Sequence, residues 1–337
     1  MKLSKISLIV AIVFALTISL SACGTVDGSS VATVNGVKIT KSEFNFYLTQ
    51  VKSQIEQQQN TASAPDFWET AEVEGKKAID AAREKALDEA EKAAIITQKA
   101  KENGIKLSQE DVASIGKQKS SQMQKSGGRD AFEAELKKNG LTSETYNSLL
   151  ENSLYASKLK EKFATDVDDA AAKQFYLEKT ARVKHVLVMT VGQQDGKPLP
   201  KEQQDAAKAK AEQILAKAKA GEDFDKLVAQ FSEDPGSQSQ PDGYILGIGF
   251  ALGSQGGMVP AFETASLALQ VGAVSDIVET NYGYHIIKRY ATDEAQFEKN
   301  KEELKSHAKN TQFEDLQAQW KADAKISVNE KELKSIK

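Results

Sequence analysis

Two of the three histidines in this 337-residue chain sit at the centres of short apolar runs. One run reads Arg182-Val183-Lys184-His185-Val186-Leu187-Val188-Met189, the other Tyr282-Gly283-Tyr284-His285-Ile286-Ile287-Lys288. Both are rich in residues that favour strands. Alternation along a strand puts Val183, His185, Leu187 and Met189 on one face, and His285 with Ile287 on one face of the second run. An imidazole held this way can accept or donate a proton or a hydrogen bond near neutral pH. A metal site is not expected: there is no short spacing of His, Cys and carboxylate ligands, and His307 falls in a predicted C-terminal helix.

Between the two runs lie Met258-Val259-Pro260-Ala261-Phe262-Glu263-Thr264-Ala265 and then Val274-Ser275-Asp276. Strand with histidine, helices, Met-Val-Pro-x-Phe-x-x-Ala and Gly-Tyr-His-Ile-Ile-Lys, in that order, resemble a parvulin-type peptidyl-prolyl isomerase domain over about 182 to 290. The resemblance implies that the two strands are central neighbours and that His185 and His285 form a buried, hydrogen-bonded pair beneath the active site. It further implies a cysteine or aspartate just after a helix. Gln230-Phe231-Ser232-Glu233-Asp234 matches with Asp234, and Phe224, Leu227, Val228 and Phe231 mark the preceding helix. His185, Asp234 and His285 are thus the expected catalytic residues. Met258, Phe262 and Leu246 match the apolar wall of a proline pocket, with Thr280 at its rim as a further substrate-binding residue. A histidine pair that merely satisfies itself in the core is the alternative, as is Phe262 as part of a helical stripe with Ala265 and Leu269.

Isomerising an X-Pro bond means crossing a barrier of roughly 18–20 kcal/mol, over about 10–100 s when uncatalysed. A catalyst needs an apolar slot for the pyrrolidine ring and polar groups that favour the twisted amide. No covalent step and no cofactor are required. Every ~1.36 kcal/mol of preference for the twisted state is a tenfold gain in rate. One departure from the family pattern bears on this slot. In place of Gly-Gly-Asp-Leu-Gly the chain reads Pro241-Asp242-Gly243-Tyr244-Ile245-Leu246-Gly247, followed by a glycine-rich extension over 248–257 that reads as mobile. Asp234-Pro235 also restricts the active-site loop.

The ends bound where this chemistry takes place. Lys2 and Lys5 precede an apolar run from Ile6 to Leu20, short for a spanning helix and suited to a secretory signal. It closes in Leu20-Ser21-Ala22-Cys23, which resembles the lipobox of bacterial lipoproteins and implies lipidation of Cys23. A plain signal peptide that happens to contain a cysteine, or an uncleaved anchor, is the alternative. Cys23 is the only cysteine, so no internal disulfide is expected. Each buried acyl methylene adds about 0.8 kcal/mol to membrane affinity, and Gly24 to Ser30 would be the tether. Loss of residues 1–22 removes Lys2 and Lys5 and shifts the formal charge from −4 to −6, which argues against nucleic acid as a partner.

The remaining length exceeds one ordinary core. Residues 31–40 alternate around Asn35-Gly36 and read as a hairpin. Phe44, Tyr47, Leu48 and Val51 predict a helix, Gln54–Pro65 a polar loop, and about Glu74 to Glu102 a long helix ending at Asn103-Gly104. Ser108 begins another, Gly127-Gly128 and Asn139-Gly140 punctuate two more, and Asp168–Lys179 predicts a short one. Phe297, Leu304, Phe313, Leu316 and Trp320 predict a C-terminal helix, and 325–329 a strand. Val34-Asn35-Gly36 with Ile39-Thr40, and Tyr146 to Phe163, resemble the chaperone lobe of exported foldases of the PrsA and SurA type.

The expected class is α+β: a helical chaperone lobe formed by N- and C-terminal segments, with an inserted parvulin-like domain built as a small antiparallel sheet covered by helices. The expected boundaries are 1–22 signal, 23–30 lipidated tether, 31–180 helical lobe, 181–291 isomerase and 292–337 returning helix. The expected function is a membrane-anchored extracytoplasmic foldase acting on unfolded or nascent secreted proteins. A binding-only holdase with a silent isomerase domain is the alternative, and homodimerisation through the helical lobe stays open. A solute-binding lipoprotein would need repeated βαβ units, which the Ala/Lys/Glu helices do not supply.

Overall fold

The computed structural model describes residues 30–59, 66–73, 75–193, 196–254 and 256–336. The expected signal segment and Cys23 lie outside the described residues. A hairpin of β1 (Ser30–Val34) and β2 (Val37–Thr40) leads into α1 (Lys41–Gln59), α2 (Phe67–Thr70) and a two-residue ladder of β3 (Glu72–Val73) and β4 (Lys76–Lys77). Then come α3 (Ala78–Glu102), α4 (Gln109–Lys125), α5 (Arg129–Lys138), α6 (Ser143–Phe163) and α7 (Asp169–Lys179). The second half begins with β5 (Ala181–Met189), α8 (Lys201–Lys219), α9 (Phe224–Phe231) and α10 (Gly236–Ser239). It continues through β6 (Tyr244–Gly247), β7 (Phe250–Ala251), α11 (Pro260–Ala268), β8 (Val278–Thr280) and β9 (Gly283–Tyr290). The chain closes with α12 (Glu294–Ala322), β10 (Ile326–Val328) and α13 (Glu330–Ser335).

Local signals explain many of the boundaries. Ser108 and Asp111 form a reciprocal capping box at the start of α4. Asp223 and Asp293 cap α9 and α12 through their carboxylates, and Pro260 occupies the first turn of α11, where a missing N–H costs nothing. Two expectations need correction. α1 runs to Gln59, so residues 54–59 are helical, because Ile55 on their buried face packs with Phe67 and α3. α3 begins at Ala78, since Lys76 and Lys77 are paired with β3.

The fold is α+β, and the helical lobe is built from both ends of the chain. β10 pairs with β1, aligning Ala32 with Val328 and Val34 with Ile326. One core joins β1, α1 and α3 to Leu333 of α13, with Trp320 packed against it. Phe313 of α12 meets Ile96 and Ala100 of α3 and Leu159 of α6. The inserted sheet is antiparallel in the order β7-β6-β5-β9-β8. Its two faces have separate cores. Val186, Val188 and Ile286 pack on α8 and α9, whereas Val183, Leu246 and Ile287 pack on Phe262 of α11.

Candidate active site

The register of β5 and β9 decides which side chains meet. His185 pairs with Ile287 and Leu187 with His285, so the two histidines are diagonal neighbours on the α11 face. Their ring centroids lie 5.2 Å apart and both residues are buried. The edge of Phe262 caps them, at 4.9 Å from His185 and 5.2 Å from His285. The pair is adjacent but not mutually hydrogen-bonded, contrary to expectation: the Nδ1 atoms of both rings lack a partner among the described residues. His285 Nε2 instead lies 2.9 Å from the Thr280 hydroxyl, which β8 supplies from the neighbouring strand.

Asp234 reaches the same place because β6 leaves β5 after Val183. The open edge of β5 beyond that point is filled by the segment following α9. There Glu233 N–H donates to the Leu187 carbonyl, Leu187 N–H to the Ser232 hydroxyl, and Met189 N–H to the Glu233 carboxylate. This stitching sets Asp234 Oδ2 at 3.6 Å from His185 Nε2, beyond hydrogen-bond length. The carboxylate accepts instead from the Tyr244 hydroxyl at 2.7 Å, the Ser237 hydroxyl at 2.9 Å and Gly236 N–H at 3.1 Å.

These contacts sort the charges. Burial drives His185 down to about 4, against the pull of Asp234, and His285 down to about 3, with His185 adding to the effect. Burial alone would raise Asp234, but the Tyr244 hydrogen bond, His185, Ser237 and Gly236 outweigh it and hold the carboxyl below its ordinary range. Burial and then the bond to Asp234 push the Tyr244 phenol up, so it remains a proton donor. At neutral pH the site therefore presents one carboxylate beside two uncharged imidazoles.

Leu246, Met258 and Phe262 do come together, in one apolar cluster with Val183, Tyr244, Ala251 and Ile287. Leu246 and Phe262 are buried, while Met258 is half-buried at the cluster's margin. Thr280 lies outside that cluster and, with Glu279, Asn281 and Val259, lines a cleft of about 500 Å³ whose opposite wall is Ile55, Val73 and Lys85 of the helical lobe. A second cavity of about 350 Å³ opens on Asp234, His185 and Tyr244 from the α9 side.

Sequence reasoning missed Tyr244, Ser237 and Glu263. Tyr244 was legible in part: it stands two residues before Leu246, so strand alternation puts both on one face. Glu263 is buried on α11, with Oε2 accepting Gly249 N–H at 3.0 Å. The 248–257 extension, expected to be mobile, is held in its described part by this bond and by contacts from α12.

An antiparallel sheet bearing two adjacent buried histidines, with an aspartate and an apolar cluster beside them, fits a parvulin-type isomerase domain, here carried by a helical lobe. Residues 170–293 match the PPIC-type PPIASE domain and residues 2–160 the SurA-like N-terminal domain. The foldase protein PrsA of Caldanaerobacter subterraneus subsp. tengcongensis is 29% identical over 323 residues, spanning 91% of this chain and 89% of the relative. The foldase protein PrsA of a Clostridium botulinum strain is 30% identical over 328 residues, spanning 90% and 89%. A crystal structure of the Bacillus anthracis peptidylprolyl isomerase PrsA is 25% identical and covers 69% of this chain and 94% of its own, with a TM-score of 0.35. The chain belongs to the PrsA foldase family, and its enzymatic activity is peptidyl-prolyl cis-trans isomerisation.

Proposed function

We propose that this chain is a lipid-anchored foldase on the extracytoplasmic face of the cell membrane, binding exported polypeptides and isomerising their X-Pro bonds. In this reading His185, Asp234 and His285 form the catalytic shell, and Leu246, Met258, Phe262 and Thr280 hold the proline segment. The single observation that carries it is a carboxylate, two neutral imidazoles and an apolar cluster gathered on one face of β5 and β9. The isomerase unit then spans 181–291, with 31–180 and 292–337 as the helical lobe.

A planar amide is held planar by a resonance form with negative oxygen and positive nitrogen. Twisting removes that charge separation. An apolar slot around the pyrrolidine disfavours the dipolar planar form, and the Asp234 anion near the carbonyl oxygen disfavours it further. Both effects raise the planar cis and trans states alike relative to the twisted state, so they speed isomerisation in both directions without moving its equilibrium. The neutral His285–Thr280 pair fixes the rim where the chain enters.

The test is cis-to-trans isomerisation of a short X-Pro peptide by mature protein beginning at Gly24, beside an Asp234→Ala variant. Acceleration that this variant largely loses supports the reading. A folded protein with no acceleration across several X residues leaves a holdase that keeps only the parvulin shape. Anchoring is tested by detergent-phase partitioning of the full chain, which Cys23→Ala should move to the aqueous phase. Among the described residues no helix is long and apolar enough to cross a membrane.

A further inference from the structure

The hairpin of β6 and β7 has two working faces. Leu246 and Ala251 point into the apolar cluster that holds Met258 and Phe262. Ile245, Phe250 and Leu252 point the other way, into a core shared with Phe175 of α7 and Phe297, Leu304 and Ala308 of α12. The His307 ring of α12 stacks on Phe250 with centroids 3.9 Å apart and planes 14° from parallel. One helical turn earlier, Glu303 takes Gly253 N–H between its two carboxylate oxygens, at 3.1 and 3.3 Å.

The same loop is gripped from the pocket side. Glu263 accepts Gly249 N–H, and its other oxygen lies so close to Gly257 that a Cβ there would stand 2.2 Å from it. Ala251 N–H donates to the Gly256 carbonyl at 3.1 Å and Leu252 N–H to the Ile245 carbonyl at 2.9 Å. The strand carrying Leu246 and the loop leading to Met258 are therefore clamped between α11 and α12. α12 is also the helix whose far end docks on α3 and leads into β10, the partner of β1.

We propose that Glu303 is a positioning residue for the proline pocket: by holding Gly253 it sets the wall made by Leu246, Ala251 and Met258, so a helix of the helical lobe tunes how tightly the isomerase domain holds proline. The proposal rests on the reading of Leu246, Met258 and Phe262 as that pocket. Glu303 touches no substrate, and its effect runs through the hairpin. It adds a mechanical link between the two parts of the molecule, since displacement of α12 by a bound chain would be felt at the pocket.

The experiment uses the mature full chain and one X-Pro peptide, with KM and kcat from the isomerisation assay and Kd from an NMR titration that needs no turnover. Removing one such hydrogen bond in Glu303→Ala should raise KM and Kd roughly two- to tenfold and leave kcat nearly unchanged. Glu303→Gln keeps an acceptor oxygen and should restore both values. Glu302→Ala, on the same helix but paired with Lys305 rather than with the hairpin among the described residues, should behave as wild type. Unchanged KM and Kd in Glu303→Ala would overturn the proposal, as would an equal rise in Glu302→Ala or a failure of Glu303→Gln to restore binding. A wild-type protein without turnover would sink the enzymatic reading of the site, while the Kd series would still decide the role of Glu303.

Discussion

The Asp234 carboxylate accepts three hydrogen bonds, and the Tyr244 hydroxyl supplies the shortest. Tyr244→Phe removes that donor while leaving the ring in the apolar cluster with Leu246 and Phe262. With less stabilisation of the anion, the Asp234 pKa rises toward its ordinary value. Activity that needs the anion is lost as pH falls through that pKa, so the acid limb of kcat/KM moves to higher pH in the variant. A pH–rate profile of both proteins checks this. The histidines make a separate prediction for stability. Their folded values, about 4 and about 3, lie below the ordinary 6.5, so between those limits the unfolded chain binds protons that the folded chain refuses. Stability then falls as pH drops from about 6.5 toward 4 and is regained above 6.5. Urea midpoints at pH 7 and pH 5 measure the slope, and His285→Leu should flatten it.

At the scale of elements, the site depends on β5 and β9 lying flush. Gly283 opens β9 with φ of 145°, and a Cβ there would stand 2.1 Å from the Val188 carbonyl oxygen. Gly283→Ala must push the strands apart next to His285 and Thr280, with a cost of about 1–3 kcal/mol in strain. Lower Tm together with lost isomerase activity is the expected result. Intact activity would mean that the strand ends tolerate separation. Much of this sheet was legible in the sequence, because the runs around His185 and His285 are short, apolar and rich in strand-favouring residues, a signal that needs no partner to be seen. The α1 terminus was not. Its last turn is rich in Gln and Glu and reads as a loop, and only the seat of Ile55 against Phe67 and α3 makes it helix. The hydrogen bond expected between the histidines failed for a related reason. Register sets them side by side as diagonal neighbours, and the nearest polar partner for His285 comes from a different strand.

At the scale of the whole molecule, α12 is the common member of the two units. Phe313 inserts between α3 and α6, whereas Phe297 and Leu304 pack with α7 and the β6–β7 hairpin. Phe313→Ala should cost about 3–5 kcal/mol. It should lower the urea midpoint of far-UV circular dichroism, to which the helical lobe contributes most of the helix, more than that of peptide turnover. Equal shifts would mean that the two units unfold as one. The sequence by itself determined the local alphabet: strand-favouring runs and helix periods, the helix start at Ser108, and the motifs around His185, Asp234, Met258 and His285 whose order resembles the isomerase family. Each of those signals is confined to a few neighbouring residues, where backbone geometry alone relates them. Only the tertiary structure decided that Tyr244 meets Asp234, that Glu303 meets Gly253, and that Lys325 N–H donates to Asn35 across 290 positions of chain. Contacts of that kind follow from which apolar faces are buried together, and no periodicity within one segment records the face of another.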